Sequence, residues 1–151
     1  MLFFYYKLYN KGKIMLQFEE DSENRTLIIT VSGYIEKENI DAYIHHLNRR
    51  LNDWDTIKIV KVIKNFEGID FKGFMKILRI YLLNLKKFEK CALITHNLLS
   101  GWQGFLGAFF AGLGHLLALP LVCKFKRFSF NKIEQAKIWI KEDISLKENN
   151  A

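Results

Sequence analysis

Residues 97–121 read NLLSGWQGFLGAFFAGLGHLLALPL, and no Asp, Glu, Lys or Arg occurs anywhere between Lys90 and Lys124. Such a run either crosses a bilayer or serves a water-soluble fold as a helix, and the choice fixes the architecture. At about 100° per residue, the bulky side chains from Leu98 to Leu117, Trp102, Phe105, Phe109 and Phe110 among them, fall within an arc of roughly 140°. Gly, Ala, Ser, Gln and His fill the other side. A span surrounded by hydrocarbon needs no such sorting, whereas a helix on a soluble core needs a wide apolar stripe. The small-residue spacing Gly104, Ala108 and Gly112 is one that membrane helices also use. Pro120, however, leads into a strand-like run, so the segment is expected to be a crossover helix between two strands. Its five glycines cost about 4–5 kcal/mol relative to alanine, which close packing or local flexibility has to offset.

The flanking sequence supports the soluble reading. Segments 14–20 and 25–33 read as two strands joined by the polar turn DSEN. In 36–54, Ile40, Tyr43, Ile44, Leu47 and Leu51 share one helical face. A strand is expected over 57–63, and a helix over 70–87 with Lys72, Lys76 and Arg79 along one side. CALIT (91–95) reads as a strand covered on both faces, and LVCKFKRF (121–128) as an edge strand. A last helix over 131–143 is expected to be capped by Asn131. Alternating strands and helices make this an α/β sandwich around one mostly parallel sheet of five strands flanked by about four helices. The domain is expected over 15–143, after an extension at 1–14 of the kind a misassigned start would give, and before a tail at 144–151.

Charge is unevenly distributed. Residues 71–130 hold nine Lys or Arg against the single acid Glu89, while the whole chain carries a formal +7. That basic half suits an anionic membrane surface or an acidic ligand. It lacks a helix-turn-helix and favours Lys over Arg, so nucleic acid is not an expected partner. Cys91 and Cys123 have no metal spacing and no disulfide framework, and read as buried reduced thiols of a cytoplasmic protein.

Enzyme signatures are missing: there is no G-x-G-x-x-G after a strand, P-loop, G-x-S-x-G or H-E-x-x-H. His45 and His46 are adjacent on a helix, point about 100° apart, and read as surface residues. His96 follows a strand without an evident nucleophile or carboxylate partner. No catalytic residue, metal or cofactor is expected.

VSGYI (31–35), NFEGID (65–70), KKFEKCALIT (86–95), Trp102 and EQAKIWI (134–140) together resemble the SpoIIAA-like group of small domains. That group is related in fold to STAS domains and to the lipid-carrying lobe of CRAL-TRIO proteins. The resemblance covers residues 15–143. It implies a five-stranded mixed sheet with four helices, a dimer-capable cytoplasmic protein, and a carrier or interaction module with an apolar groove. Ile69 stands where the group usually has an aromatic, and the uncharged helix has lost its usual charges. STAS-type antagonists carry a phosphorylatable Ser or Thr between the third strand and second helix. KNFEGIDFKGF (64–74) has neither, so a phosphate switch cannot operate there.

Two functions follow as expectations. In the first, a lipid or other apolar ligand is held by Trp102, Phe105, Phe109 and Phe110, with Lys72, Lys76 and Arg79 attracting anionic head groups at the inner membrane face. In the second, the chain is a STAS-type module that docks a protein partner, or a second copy, through its second and third helices.

Overall fold

The computed structural model describes residues 6–8, 15–95 and 123–142. Strands β1 (Tyr6–Leu8), β2 (Met15–Asp21) and β3 (Thr26–Ile35) come first, then helix α1 (Lys37–Asp53) and β4 (Ile57–Ile69). Helix α2 (Phe71–Leu83), a 3-10 turn (Leu85–Lys87), β5 (Phe88–Thr95), β6 (Lys124–Ser129) and helix α3 (Ile133–Lys141) complete the order. The six strands form one sheet in chain order, antiparallel from β1 to β3 and parallel from β3 to β6.

A mixed, mostly parallel sheet was the expectation, but with five strands. The sixth is β1, from the segment read as an extension: Tyr6, Lys7 and Leu8 pair with Phe18, Gln17 and Leu16. An unpaired β2 edge would expose a row of backbone donors and acceptors, and β1 satisfies three residues of it. β4 also runs past the expected end at 63, through register shifts opposite Ser32–Tyr34. Asn65 and Gly68 accommodate them with φ of 39° and 148°. A Cβ at Gly68 would also meet the Tyr34 ring at 3.0 Å. The uncharged helix expected over 98–117 lies outside the described residues, and no helix among the described ones is long and apolar enough to cross a membrane.

Alternation along the strands divides the core. Leu27, Ile29, Val31, Ile57, Ile59 and Cys91 pack under α1 and α2, while Val60, Val62, Ala92 and Ile94 pack under α3. α1 buries Ile40, Tyr43, Leu47 and Leu51 as its spacing predicts. It also buries His46, read as a surface residue, because that ring stacks on Phe18 at 4.3 Å. Asn131 does not cap α3: it lies inside a 3-10 turn and accepts from the Ser129 hydroxyl. The far end of α3 is held instead by Lys90, whose buried ammonium donates to the carbonyls of Trp139 (2.9 Å) and Glu142, where the helix dipole favours a cation.

One ion pair ties the antiparallel edge to α1. The Arg50 guanidinium donates to the nearly inaccessible Glu20 carboxylate and also to Asp53 at 2.9 Å, while lying 5.2 Å from the centre of the Trp54 ring. Glu20→Gln is expected to lower unfolding free energy by about 2 kcal/mol, because a buried partner is lost while Asp53 still engages Arg50. A urea titration of both proteins measures this; equal midpoints would refute it.

Candidate docking face on the second helix

α2 begins where the Asp70 carboxylate accepts from the Gly73 amide at 2.9 Å, a side-chain cap on the first turn. Gly73 then brings α2 close to α1: a Cβ there would lie 1.9 Å from Cδ1 of Ile40. Phe74, Ile77 and Tyr81 complete the buried face. The apolar residues of this segment exceed what that face can hold. Phe71 (65%), Met75 (46%), Leu82 (49%) and Leu83 (73%) remain exposed. Phe71, Met75 and Leu82 recur at helical spacing and so form a stripe.

Lys72, Lys76 and Arg79 project from the adjoining exposed side of the same helix. α2 contains no acid. Lys76 approaches Asp41 of α1 at 3.7 Å, with both side chains more than half exposed, an interaction that solvent screens to little value. Four of the six exposed large apolar side chains among the described residues therefore lie on this helix, bordered by positive charge.

The three expected head-group residues thus come together on one helix face. The four expected apolar-ligand residues, Trp102, Phe105, Phe109 and Phe110, lie outside the described residues, as does His96. At helical spacing Phe71, Phe74, Met75, Leu78, Leu82 and Leu85 gather mostly on one side of the segment. In the structure they divide between the buried face and the stripe beside the cations. Only the position of the sheet and of α1 decides which apolar side is covered. The excess of apolar positions over one helix face was the available signal.

Beneath α1 and α2 lies a second cluster that sequence reasoning missed. The Tyr43 and Tyr81 hydroxyls share a hydrogen bond of 2.6 Å, and burial pushes both phenols above their ordinary range. Lys61 of β4 is buried with its ammonium 5.4 and 6.0 Å from the two ring centres. Among the described residues no carboxylate pairs with it, and burial pulls its pKa down to about 8. Lys61 shares its side of β4 with Ile57, Ile59 and Ile63, and its depth follows from two helices covering that face. Among the described residues, no three His, Cys, Asp or Glu side chains gather as a metal site.

A sequential mixed sheet with α1 and α2 on one face and α3 on the other defines a small α/β module of the STAS-related class. More narrowly, the chain belongs to the SpoIIAA-like family, whose model matches residues 26–141. An uncharacterized protein of the DUF3478 family from Shewanella loihica PV-4, described as having a SpoIIAA-like fold, is similar with a TM-score of 0.59. It is 19% identical, over 88% of this chain and 98% of that one. SiaC of Pseudomonas aeruginosa is similar with a TM-score of 0.50 and 12% identity, over 85% of this chain and 99% of that one. At these identities the likeness is one of fold. No curated protein sequence matches the chain.

Proposed function

We propose that this chain is a non-catalytic, cytoplasmic interaction module that docks a protein partner along α2. The observation that carries the reading is the exposed stripe of Phe71, Met75 and Leu82 beside Lys72, Lys76 and Arg79. A complementary partner is an amphipathic segment with acidic residues flanking its apolar positions. Apolar contact then supplies affinity, and opposite charge supplies register and on-rate. A permanent carboxylate, Asp70, stands at the start of α2, and the junction 64–74 carries no hydroxyl, so docking in this module is constitutive and not phosphate-gated.

The apolar-ligand and membrane alternative depends on Trp102, Phe105, Phe109 and Phe110 together with the same three cations, and one experiment separates it from the protein reading. Wild-type chain and a Met75→Glu/Leu82→Glu variant are compared by quantitative affinity capture from extract and by flotation with anionic vesicles. The variant is expected to melt like wild type and to lose a stoichiometric protein partner, lowering its recovery at least about tenfold, since two anchor residues are removed. Wild type is expected not to float. Flotation of wild type that Lys72→Glu/Lys76→Glu abolishes would overturn the docking proposal in favour of the bilayer, and an identical set of captured proteins for both chains would also overturn it.

A further inference from the structure

The two thiols of the chain, far apart in sequence, are neighbours in space. Cys91 is buried in β5, and Cys123 is half-buried in the residue before β6. Strand register pairs Cys91 with Phe125, so Cys123, two residues earlier, lies diagonal to Cys91 and packs on the same core. The two thiols hydrogen-bond to each other, and the Lys61 ammonium lies within electrostatic reach of Cys91. Tyr43 from α1 and Tyr81 from α2 are the other titratable groups around Lys61, and both are neutral phenols joined by their own hydrogen bond.

We propose that Cys91, Cys123 and Lys61 form an oxidisable dithiol site that closes to a disulfide on reaction with hydrogen peroxide. Cys123 is the partner that solvent reaches, and its thiol is held below the usual range because Cys91 donates a hydrogen bond to it. Its thiolate attacks the peroxide O–O bond, forming an S–O bond and releasing water once the leaving hydroxide takes up the proton that the thiol gave away. Cys91 then attacks the Cys123 sulfenic sulfur: an S–S bond forms, the S–O bond breaks, and a second water leaves with the Cys91 proton. Two thiols are oxidised, one hydrogen peroxide is reduced, and the products are one disulfide and two waters. Burial, with the hydrogen bond to Cys123 and that thiol's charge, holds the Cys91 thiol up, and Lys61 acts against this by stabilising its thiolate as it attacks. Diagonal residues on neighbouring strands are about 7–8 Å apart at Cα, slightly wider than a relaxed disulfide spans. Closure therefore draws Cys123 inward, and since it precedes the first paired residue of β6, Lys124, no strand pairing opposes that movement.

The test uses the reduced full-length chain, hydrogen peroxide as oxidant and N-ethylmaleimide as thiol trap. Intact mass is expected to fall by about 2 Da, with neither thiol trapped and peptides around 91 and 123 crosslinked within one molecule. Cys91→Ser, or Cys91→Ala if serine does not fold there, is expected to stall as a dimedone-reactive sulfenic acid on Cys123. Lys61→Met is expected to close roughly tenfold more slowly. Full trapping of both thiols after peroxide, crosslinks found only between molecules, or wild-type closure in Lys61→Met would each overturn the proposal.

Discussion

Gly73→Leu is expected to abolish the folded state near physiological temperature, with a loss of about 4 kcal/mol or more. Alanine at an exposed helix position would gain about 1 kcal/mol over glycine, so helix propensity favours substitution. Packing reverses that sign here. An added Cβ would meet Ile40 Cδ1 at 1.9 Å and its Cγ1 and Cγ2 at 3.0 and 3.1 Å, so no rotation of one terminal methyl relieves all three contacts. Ile40 is itself 1% exposed, at the centre of the α1–α2 contact. Gly73→Ala should therefore cost about 1–2 kcal/mol, and the further atoms of leucine should force the helices apart. Ile40→Val removes Cδ1, so the Gly73→Ala/Ile40→Val pair should lose about 1 kcal/mol less than the two single losses added together. Urea titrations followed by circular dichroism measure all four proteins. A Gly73→Leu protein that melts like wild type would mean that the two helices do not meet at this glycine.

Lys61→Met is expected to act in the opposite direction and raise unfolding free energy at neutral pH by about 3 kcal/mol. The group ionises near 10.5 when exposed and at about 8 in the fold, because two helices remove its water and no described carboxylate replaces it. Below pH 8 the ammonium is charged in both states, and the folded state bears the full desolvation penalty. Between about 8 and 10.5 the unfolded chain binds more protons than the folded one, so wild-type stability should rise with pH through that window. The Tyr43 and Tyr81 rings return part of the penalty through their faces, which Met forgoes while gaining apolar contact. Thermal melts of wild type and Lys61→Met from pH 7 to 10 measure this. The gap between the two should narrow as pH rises, and a variant less stable than wild type at pH 7 would show that the ammonium has a counter-charge. A cation retained at such a position is consistent with a use for it beyond stability, as the dithiol site requires.

The elements readable from sequence were those whose periodicity coincides with their burial. α1 has Ile40, Tyr43, Leu47 and Leu51 at helical spacing and buries those residues; the CALIT part of β5 (91–95) is apolar but for Thr95 and is buried throughout. β1 was not readable, since a three-residue strand carries too little pattern to stand apart from its surroundings. The candidate site was half readable. Lys72, Lys76 and Arg79 declare one face of α2 by charge, but the exposure of Phe71, Met75 and Leu82 depends on where the sheet and α1 lie. His46 was misread for a related reason: a polar residue within an amphipathic pattern is assigned to water unless a neighbouring element is known to cover it.

By itself the sequence determined the α/β class, the family, the order of the elements from β2 to β5 and the concentration of positive charge in one half, because these depend on local periodicity, composition and short motifs. The tertiary structure alone decided which apolar residues of α2 are left outside, that β1 completes the sheet, and that Lys61, Cys91 and Cys123 meet. Those outcomes depend on contacts between residues distant along the chain, and no local pattern records which of two greasy sides another element will cover.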